Sequence, residues 1–356
     1  MLQGLLLTLY LIGIAVLRGL RARKLRRLHT ELLSSGDPHA LAWQLAFVEF
    51  PFMFEAGTSL GFFSTFAVPT IAGVLRSTRG FECACQVRYD DTMLLMHEIG
   101  EFGCRSERGK AAIQRVNNIH ARTPGIRQED MLYTLWVFCF DPVFWVNAYE
   151  WRKLEDFEVN ALYRFWREVG ESLGITEIPP TCEEFLAWGQ AYEAKQFRPT
   201  QASKQLTFDV INLAATWGPK WLPSFEIVRA CKRQVVFWLL CALGRNPQLL
   251  DAIGLREERL RMPTAIRAFI YVAVVARGYL NRFLLPPRPD RLAATICGQP
   301  VESQAAHTQG SKRQQMQSAG VNLDEVAYKC PFVAKSYRDG GLYRLKDLGH
   351  PVGTKA

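Results

Sequence analysis

The sequence lacks the short motifs that mark several large enzyme classes. Neither a GxGxxG nor a P-loop occurs in its 356 residues, so nucleotide binding through those loops has no basis. No GxSxG nucleophile elbow is expected either. Serine hydrolysis is therefore not expected.

Histidine and paired metal ligands are scarce as well. The histidines are too few and too dispersed for the histidine clusters of a membrane desaturase: His29, His39, His97, His120, His307 and His350. A di-iron carboxylate bundle needs paired Glu-x-x-His motifs, and neither Glu98 nor Glu101 has a histidine three residues later. The nine cysteines are scattered, and Cys83-Ala-Cys85 is too tight for a CxxC metal site.

Apolar residues are plentiful. They make up 49% of the chain, with 12% aromatic, which supplies an ample core. The length of 356 residues is enough for one large all-α domain or two smaller ones. The formal net charge is +9, and much of it comes from one short basic cluster: Arg18, Arg21, Arg23, Lys24, Arg26 and Arg27. Charges beyond this cluster are mixed in sign, so no nucleic-acid partner is expected.

Residues 1–17 carry no charged side chain and predict a transmembrane anchor helix. At about 1.5 Å per residue they form roughly 25 Å of helix, slightly less than a bilayer core of about 30 Å. The basic residues follow the apolar run, whereas a signal peptide has them in front. The positive-inside rule then predicts that everything past Arg18 is cytosolic. An interfacial amphipathic helix is the alternative.

The remaining chain divides by composition. We predict a basic juxtamembrane segment over 18–40, a helical domain over 41–296, a mobile polar linker over 297–320 and a C-terminal extension over 321–356. The fold class is all-α, a single large helical domain behind one N-terminal anchor helix.

Two predicted helices in the middle of the chain carry the candidate site. The first covers 85–102 and has Arg88, Asp91 and Thr92 on one face, at the head of an apolar stripe. An unpaired buried charge is costly. These residues therefore form either a surface Arg88–Asp91 ion pair or a polar cluster over a reactive centre.

The second helix covers 107–121 and places His120 on an apolar face, with Asn117 beside it and Arg115 five residues before it. A lone histidine in this setting is either a satisfied core residue or a metal ligand. Neutral imidazole is a common axial ligand of haem iron. His97, next to Glu98, is expected to be a solvated or supporting residue.

Other helices are predicted over 131–140, 156–173, 182–196, 206–216, 224–243, 247–261 and 264–284. Aromatic residues form a buried stripe that is either ordinary core or a wall for an apolar substrate: Phe47, Phe50, Phe54 and Phe62. The apolar run Phe269 to Ala276 is too short to span a membrane and is assigned to the core. Glu150 and Arg152 are expected to pair.

These motifs resemble the ER-bound oxygenases of the MpaB type, from mycophenolic acid biosynthesis, and more distantly the bacterial latex-clearing rubber oxygenases. The similar stretches follow in order over most of the chain. They are Glu49 to Phe54, Arg88-Tyr-x-Asp91-Thr92, the His120 helix, Leu132 to Leu135, Tyr149-Glu-Trp-Arg-x-Leu154 with Glu158, Phe165-Trp166 with Gly170, Tyr192 to Lys195, Pro286 to Pro289 and Gly349 to Val352.

The resemblance implies a helical domain that encloses haem b. His120 would be the proximal iron ligand, and Arg115 and Asn117 would contact the cofactor. The rubber oxygenases carry Arg, Lys and Thr on the distal side at i, i+3 and i+4. Those offsets fall here on Arg88, Asp91 and Thr92, so Asp91 replaces the lysine, and the sixth iron position would hold water or stay open.

The resemblance also implies the reaction, cleavage of a carbon–carbon double bond in a prenyl chain by O2 to give carbonyl products. The expected substrate is a prenyl chain or a meroterpenoid, and the expected location is the endoplasmic reticulum membrane with a cytosolic catalytic domain. Three alternatives stay open at this point. They are an oxygenase of unsaturated fatty acyl chains, a haem-binding protein without oxygenase chemistry, and a helical membrane-surface scaffold in which His120 is core.

Overall fold

The computed structural model describes residues 2–216, 226–243 and 247–289, together with 299–300, 328–329, 342–343, 345 and 348. The fold is all-α, as predicted. Its helices are α1 Leu2–Ser35, α2 His39–Trp43, a π-helical turn Gln44–Glu49, α3 Pro51–Phe66, α4 Pro69–Ser77, α5 Gly80–Phe102, α6 Glu107–Ala121, α7 Gln128–Tyr149, α8 Asp156–Ser172, α9 Cys182–Gln196, α10 Gln201–Ala214, α11 Glu226–Leu243, α12 Pro247–Ala252, α13 Arg256–Arg261 and α14 Thr264–Leu284.

Three two-residue strands form a small antiparallel sheet near the carboxyl end. They are β1 Gln299–Pro300, β2 Tyr328–Lys329 and β3 Leu342–Tyr343, in the order β1-β2-β3. The predicted linker over 297–320 and the extension over 321–356 otherwise lie outside the described residues.

Several helices begin where the sequence supplies a capping side chain. Ser106 accepts a hydrogen bond from the Gly109 amide at the start of α6, and Thr181 accepts one from the Glu184 amide at the start of α9. Glu155 and Glu158 form a reciprocal capping box at the start of α8. Each cap satisfies amide groups that the first helical turn leaves without a partner.

Helix α7 forms the centre of the core. Trp136, Tyr133 and Phe140 on this helix are almost completely buried. Helix α3 crosses it at close range because Gly57 has no side chain. A Cβ on Gly57 would lie 2.5 Å from the Pro142 Cα. The crossing therefore depends on a glycine directly above the α7 backbone.

The observed end of α7 differs from the predicted one. The predicted end at Asp141-Pro142 is wrong, because α7 continues through Pro142 to Tyr149. Proline in a helix interior removes one backbone hydrogen bond and strains the preceding turn. Here the second half of α7 is held by burial of Val143, Trp145 and Val146. Tertiary packing thus outweighs the local propensity.

Three further predictions need correction. The predicted helix over 247–261 is two helices, separated at Gly254, whose φ is +85°. Glu150 pairs with Arg277 rather than with Arg152, which pairs with Glu158. The apolar run Phe269 to Ala276 in α14 is predicted to be core, but Phe269 is 73% exposed.

Helix α1 is the apolar segment that the fold leaves uncovered. By length and composition, the described residues contain two helices able to cross a membrane, Gln3–Ser35 and Gln128–Tyr149. The bent pair α3 and α4, at 94°, is a third if counted as one span. The apolar window of α7 is 72% buried in the protein, whereas that of α1 is 6% buried. Helix α1 is continuous to Ser35, so no break separates the predicted anchor from the basic segment.

Candidate functional site

Arg88, Asp91 and Thr92 lie together on α5, as their spacing predicted. The helix has a kink at Ala84, and the regular part after it agrees with the predicted range of 85–102. The Arg88 guanidinium donates a hydrogen bond to the Thr92 hydroxyl and lies 5.5 Å from the centre of the Phe81 ring. Asp91 is buried, so the surface ion-pair interpretation is wrong. Burial lowers the pKa of Arg88, and the negative charge of Asp91 opposes that shift.

His120 lies near this cluster because α5 and α6 pack directly against each other. Burial lowers the pKa of His120, and the positive charge of Arg88 lowers it further. The ring is therefore neutral near pH 7. Its Nδ1 is buried and has no hydrogen-bond partner among the described residues. A neutral imidazole with such a nitrogen can donate the lone pair of that nitrogen to a metal ion.

Arg115 and Asn117 have other contacts in the structure. The Arg115 Nε donates to the Leu348 carbonyl at 2.5 Å, and the Asn117 amide donates to the Ser172 carbonyl at 3.2 Å. Neither hydrogen bond involves the α5 cluster. Their role as cofactor contacts stays a prediction.

A cavity of about 360 Å³ is lined on α5 by Met96, His97 and Gly100, and its lining does not include Arg88, Asp91, Thr92 or His120. It is lined mainly by apolar side chains of α3, α5, α7 and α8, and two aromatics of the predicted stripe, Phe47 and Phe54, belong to its wall. Phe50 and Phe62 of the same stripe are buried elsewhere in the core. Phe50 and Phe62 are therefore ordinary core, and a substrate-wall role of Phe47 and Phe54 stays a prediction.

One ion pair interrupts the apolar wall of this cavity. The His97 Nε2 lies 2.9 Å from a Glu55 carboxylate oxygen, and the His97 Nδ1 lies 2.7 Å from the Met93 carbonyl. His97 is buried, so the solvated alternative is wrong. Sequence reasoning missed the pair because Glu55 is 42 residues away on another helix, and no local pattern signals such a contact.

The pair makes stability depend on pH. Burial alone would lower the pKa of His97, but the hydrogen bond and the charge of Glu55 outweigh burial and raise it. Burial would likewise raise the pKa of Glu55, yet His97 and Ser59 bring it below its ordinary value. The stability that His97 contributes is fully present below about pH 6.5 and is lost as the pH rises through its raised pKa. The glutamate contribution is complete above about pH 4.3 and is lost as the pH falls through the lowered pKa.

We expect the melting temperature of the wild type to fall as the pH rises from 6 to 9, and that of His97→Gln to change less. Near pH 6 the unfolding free energy of His97→Gln should be about 1 kcal/mol below that of the wild type. The difference is small because solvent screens the half-exposed Glu55. Thermal unfolding at several pH values measures it. His39→Gln is the matched control, since the His39 ring contacts the Gly100 carbonyl at 3.2 Å rather than a carboxylate. Equal pH slopes in the wild type and His97→Gln would contradict the assignment.

One short stretch of the sequence has the letters of a GxSxG motif, and its position in the fold shows that it is not a nucleophile elbow. Gly57-Thr-Ser59-Leu-Gly61 has the letters of a GxSxG elbow, but all five residues lie inside helix α3. Ser59 contacts Glu55 and Tyr89 through hydrogen bonds. A nucleophile elbow requires a sharp turn between a strand and a helix. The pattern therefore marks a helix crossing and not a hydrolase.

Comparison with known proteins agrees with the motif resemblance. A family model described as "ER-bound oxygenase mpaB/B'/Rubber oxygenase, catalytic domain" matches residues 43–277. The chain belongs to this family. The matched range contains α5, α6 and the cavity lining apart from Ala42 and Arg288, and it excludes α1 and the end of α14.

Curated relatives come from two Penicillium species. ER-bound oxygenase mpaB' of Penicillium brevicompactum is 30% identical over 287 residues, which is 72% of this chain and 61% of that protein. ER-bound oxygenase mpaB of the same species is 32% identical over 55% of this chain and 56% of that protein. The mpaB protein of Penicillium roqueforti (strain FM164) is 30% identical over 53% of this chain and 73% of that protein. The chain thus spans about three fifths of the first two relatives.

Proposed function

We propose that the chain is a haem-dependent oxygenase that cleaves a carbon–carbon double bond of a prenyl chain with O2. The observation that carries this proposal is His120, a neutral imidazole with a buried, unpartnered nitrogen beside Arg88, in a chain of an oxygenase family. The relatives are named oxygenases, which supports the reaction type.

The residues around His120 fit haem better than a metal held by protein ligands alone. Among the described residues, no three His, Cys, Asp or Glu side chains come together in a way that would hold a metal ion. Haem would need only one iron-binding side chain from the protein, because the macrocycle would hold the iron itself. His120 would supply that ligand, and Arg88 with Thr92 would form the polar side of the site.

Haem, when bound, supplies an iron that binds and activates O2. The reaction balances without a further reductant, because the alkene double bond breaks and each of its two carbons receives one oxygen atom of the same O2. A trisubstituted alkene then gives one ketone and one aldehyde. Arg88 presents guanidinium donors, which can stabilise negative charge on oxygen. The Thr92 hydroxyl donates to the Arg88 carbonyl at 3.1 Å and accepts from the Arg88 guanidinium, so its role would be to hold that guanidinium in place. Asp91 is close enough to Arg88 to interact with its charge and has a carboxylate that can accept or release a proton.

The cavity lined by Met96 and His97 supports an apolar substrate. Its 360 Å³ and its aromatic wall suit a hydrocarbon chain better than a polar metabolite. We favour an isoprenoid tail over an unsaturated fatty acyl chain because of the family. Incubation with farnesylated aromatics and with unsaturated fatty acids under 18O2 tests this choice. Label in a shortened carbonyl product of the farnesyl compound is expected, and cleavage of only the fatty acid would reject the isoprenoid.

A haem protein without oxygenase chemistry is the second candidate, since His120 alone accounts for haem binding. The two candidates differ in one measurement. Both give a Soret band in the purified protein, but only the oxygenase consumes O2 and alkene together with formation of carbonyl product.

Asp91→Asn should reduce turnover more than haem content. The substitution keeps the shape of the side chain and removes its charge and its proton exchange, so we expect a fall of about 100-fold in kcat. Turnover and the Soret absorbance of the same preparation measure the two effects. Asp90→Asn is the matched control, because Asp90 is also buried but accepts hydrogen bonds from Gln86. Unchanged kcat over the pH range in Asp91→Asn would remove Asp91 from the mechanism.

We further propose that α1 anchors the chain in the endoplasmic reticulum membrane with the catalytic domain in the cytosol. The exposed apolar surface of α1 and the basic residues from Arg18 onward support this orientation. Protease added to intact microsomes should digest the domain. Protection that is lost only on addition of detergent would reverse the topology.

A further inference from the structure

Helix α14 has an exposed apolar face. Phe269, Val272, Leu280 and Phe283 lie on one side of the helix, at 73%, 61%, 53% and 51% exposure. Ala265 and Ala276 continue the same side. The helix contains no acidic residue, and its charged residues are Arg267, Arg277 and Arg282. Contiguous exposed apolar surface on this scale marks a binding surface.

The opposite side of α14 is fixed to the domain. A Cβ on Gly278 would lie 2.9 Å from the Tyr149 carbonyl oxygen, so the backbones of α14 and the end of α7 are in close contact. Arg277 pairs with Glu150 at 2.5 Å. A helix held on one side by the protein cannot cross a bilayer, but its free side can lie on one.

The carboxyl end of α14 meets α1. The Tyr10 hydroxyl donates to the Leu284 carbonyl at 2.6 Å. The Arg18 guanidinium donates to the Arg282 carbonyl at 2.8 Å and to the Leu285 carbonyl at 3.1 Å. Tyr10 lies about 12 Å along α1 from Arg18. If α1 is inserted up to Arg18, the end of α14 therefore lies between the lipid headgroups beside Arg18 and the upper acyl chains beside Tyr10.

We infer that the outer face of α14 docks on a bilayer that contains anionic lipid, beside the α1 anchor. The inference rests on the anchoring of α1 and not on the oxygenase chemistry. Apolar continuity with α1, basic charge and the lack of acidic residues in α14 all match such a surface.

Docking would bring the cavity to the membrane. Phe52 is exposed, lines the cavity and lies 4.5 Å from the Arg277 guanidinium of α14. The mouth of the cavity at Phe52 would then open at the lipid interface. A prenyl chain dissolved in the bilayer could enter without passing through water.

Photocrosslinking in the full chain tests the inference. Benzoylphenylalanine replaces Phe269 or Phe283, and the protein is reconstituted in vesicles of phosphatidylcholine and phosphatidylserine. Both positions are exposed, so the fold should tolerate the change. Leu9 on α1 is the positive control, and Leu33, which is 65% exposed and lies beyond the basic cluster, is the negative control. Lipid adducts at 269 and 283 should be comparable to those at 9 and on the order of tenfold above those at 33.

The other outcomes overturn the inference in distinguishable ways. Adducts between two protein chains at 269 or 283 would assign the face to a second copy. Adducts within the chain would assign it to another segment of the same chain. Lipid adducts at 9 but not at 269 and 283 would reject docking of α14 and leave the anchor intact. A lack of lipid adducts at all three positions would reject both the docking and the anchoring.

Discussion

His120→Ala should give folded protein that has lost most of its haem, with a Soret absorbance on the order of tenfold or more below that of the wild type. The reason is that haem iron needs an axial ligand, and His120 combines a neutral ring with a nitrogen that no described residue satisfies. Absorption spectra of purified protein, with and without dithionite, measure haem content. Circular dichroism measures helix content in the same samples.

The fold should survive because the unpartnered nitrogen contributes no hydrogen bond within the described chain. We expect the unfolding free energy of the haem-free protein to change by about 1 kcal/mol. Added imidazole should restore part of the Soret band, since it can occupy the space of the lost ring and donate the same nitrogen lone pair. Restoration would separate a ligand from a residue that only shapes the pocket.

His29→Ala is the matched control. The Nδ1 of His29 is also buried without a partner among the described residues, but its ring, on α1, packs on Phe157, with centroids 4.8 Å apart. The two histidines thus share the unsatisfied nitrogen, and only His120 has Arg88 as a neighbouring charge. Wild-type haem content in His120→Ala, or equal loss in both variants, would contradict the assignment of His120.

The helices that carry the candidate site were predictable because their signals are local. Apolar spacing after Arg88 defines one face of α5, and Ser106 and Pro124 bracket α6. Such short-range patterns do not depend on the rest of the fold. This is why the sequence predicted that Arg88, Asp91 and Thr92 share a face.

Features that depend on distant contacts could not be predicted. Helix α7 continues through Pro142 because its second half is buried, and Glu55 meets His97 from another helix. The exposed face of α14 was misread for a related reason. Its apolar run has the composition of core, and composition alone does not distinguish burial in protein from contact with lipid.

Gly57→Ala should destabilise the fold by about 3 kcal/mol, because the new Cβ meets backbone and not a movable side chain. It would lie 2.5 Å from the Pro142 Cα and 2.9 Å from the Pro142 nitrogen. To relieve this clash, α3 would have to move away from α7 at the centre of the core. Denaturant unfolding monitored by circular dichroism measures the change.

Two other helical glycines provide a graded series. A Cβ on Gly61 would meet side-chain atoms, the Asp141 Oδ2 at 2.8 Å and the Val137 Cγ1 at 2.9 Å, which can shift. A Cβ on Gly73, which is exposed on α4, would meet nothing within 4 Å. All three substitutions gain the same helix propensity, up to about 1 kcal/mol. Gly73→Ala should therefore stabilise, Gly61→Ala should cost about 1 kcal/mol net, and Gly57→Ala should cost the most. Equal stability of Gly57→Ala and Gly73→Ala would show that α3 does not cross α7 at Pro142.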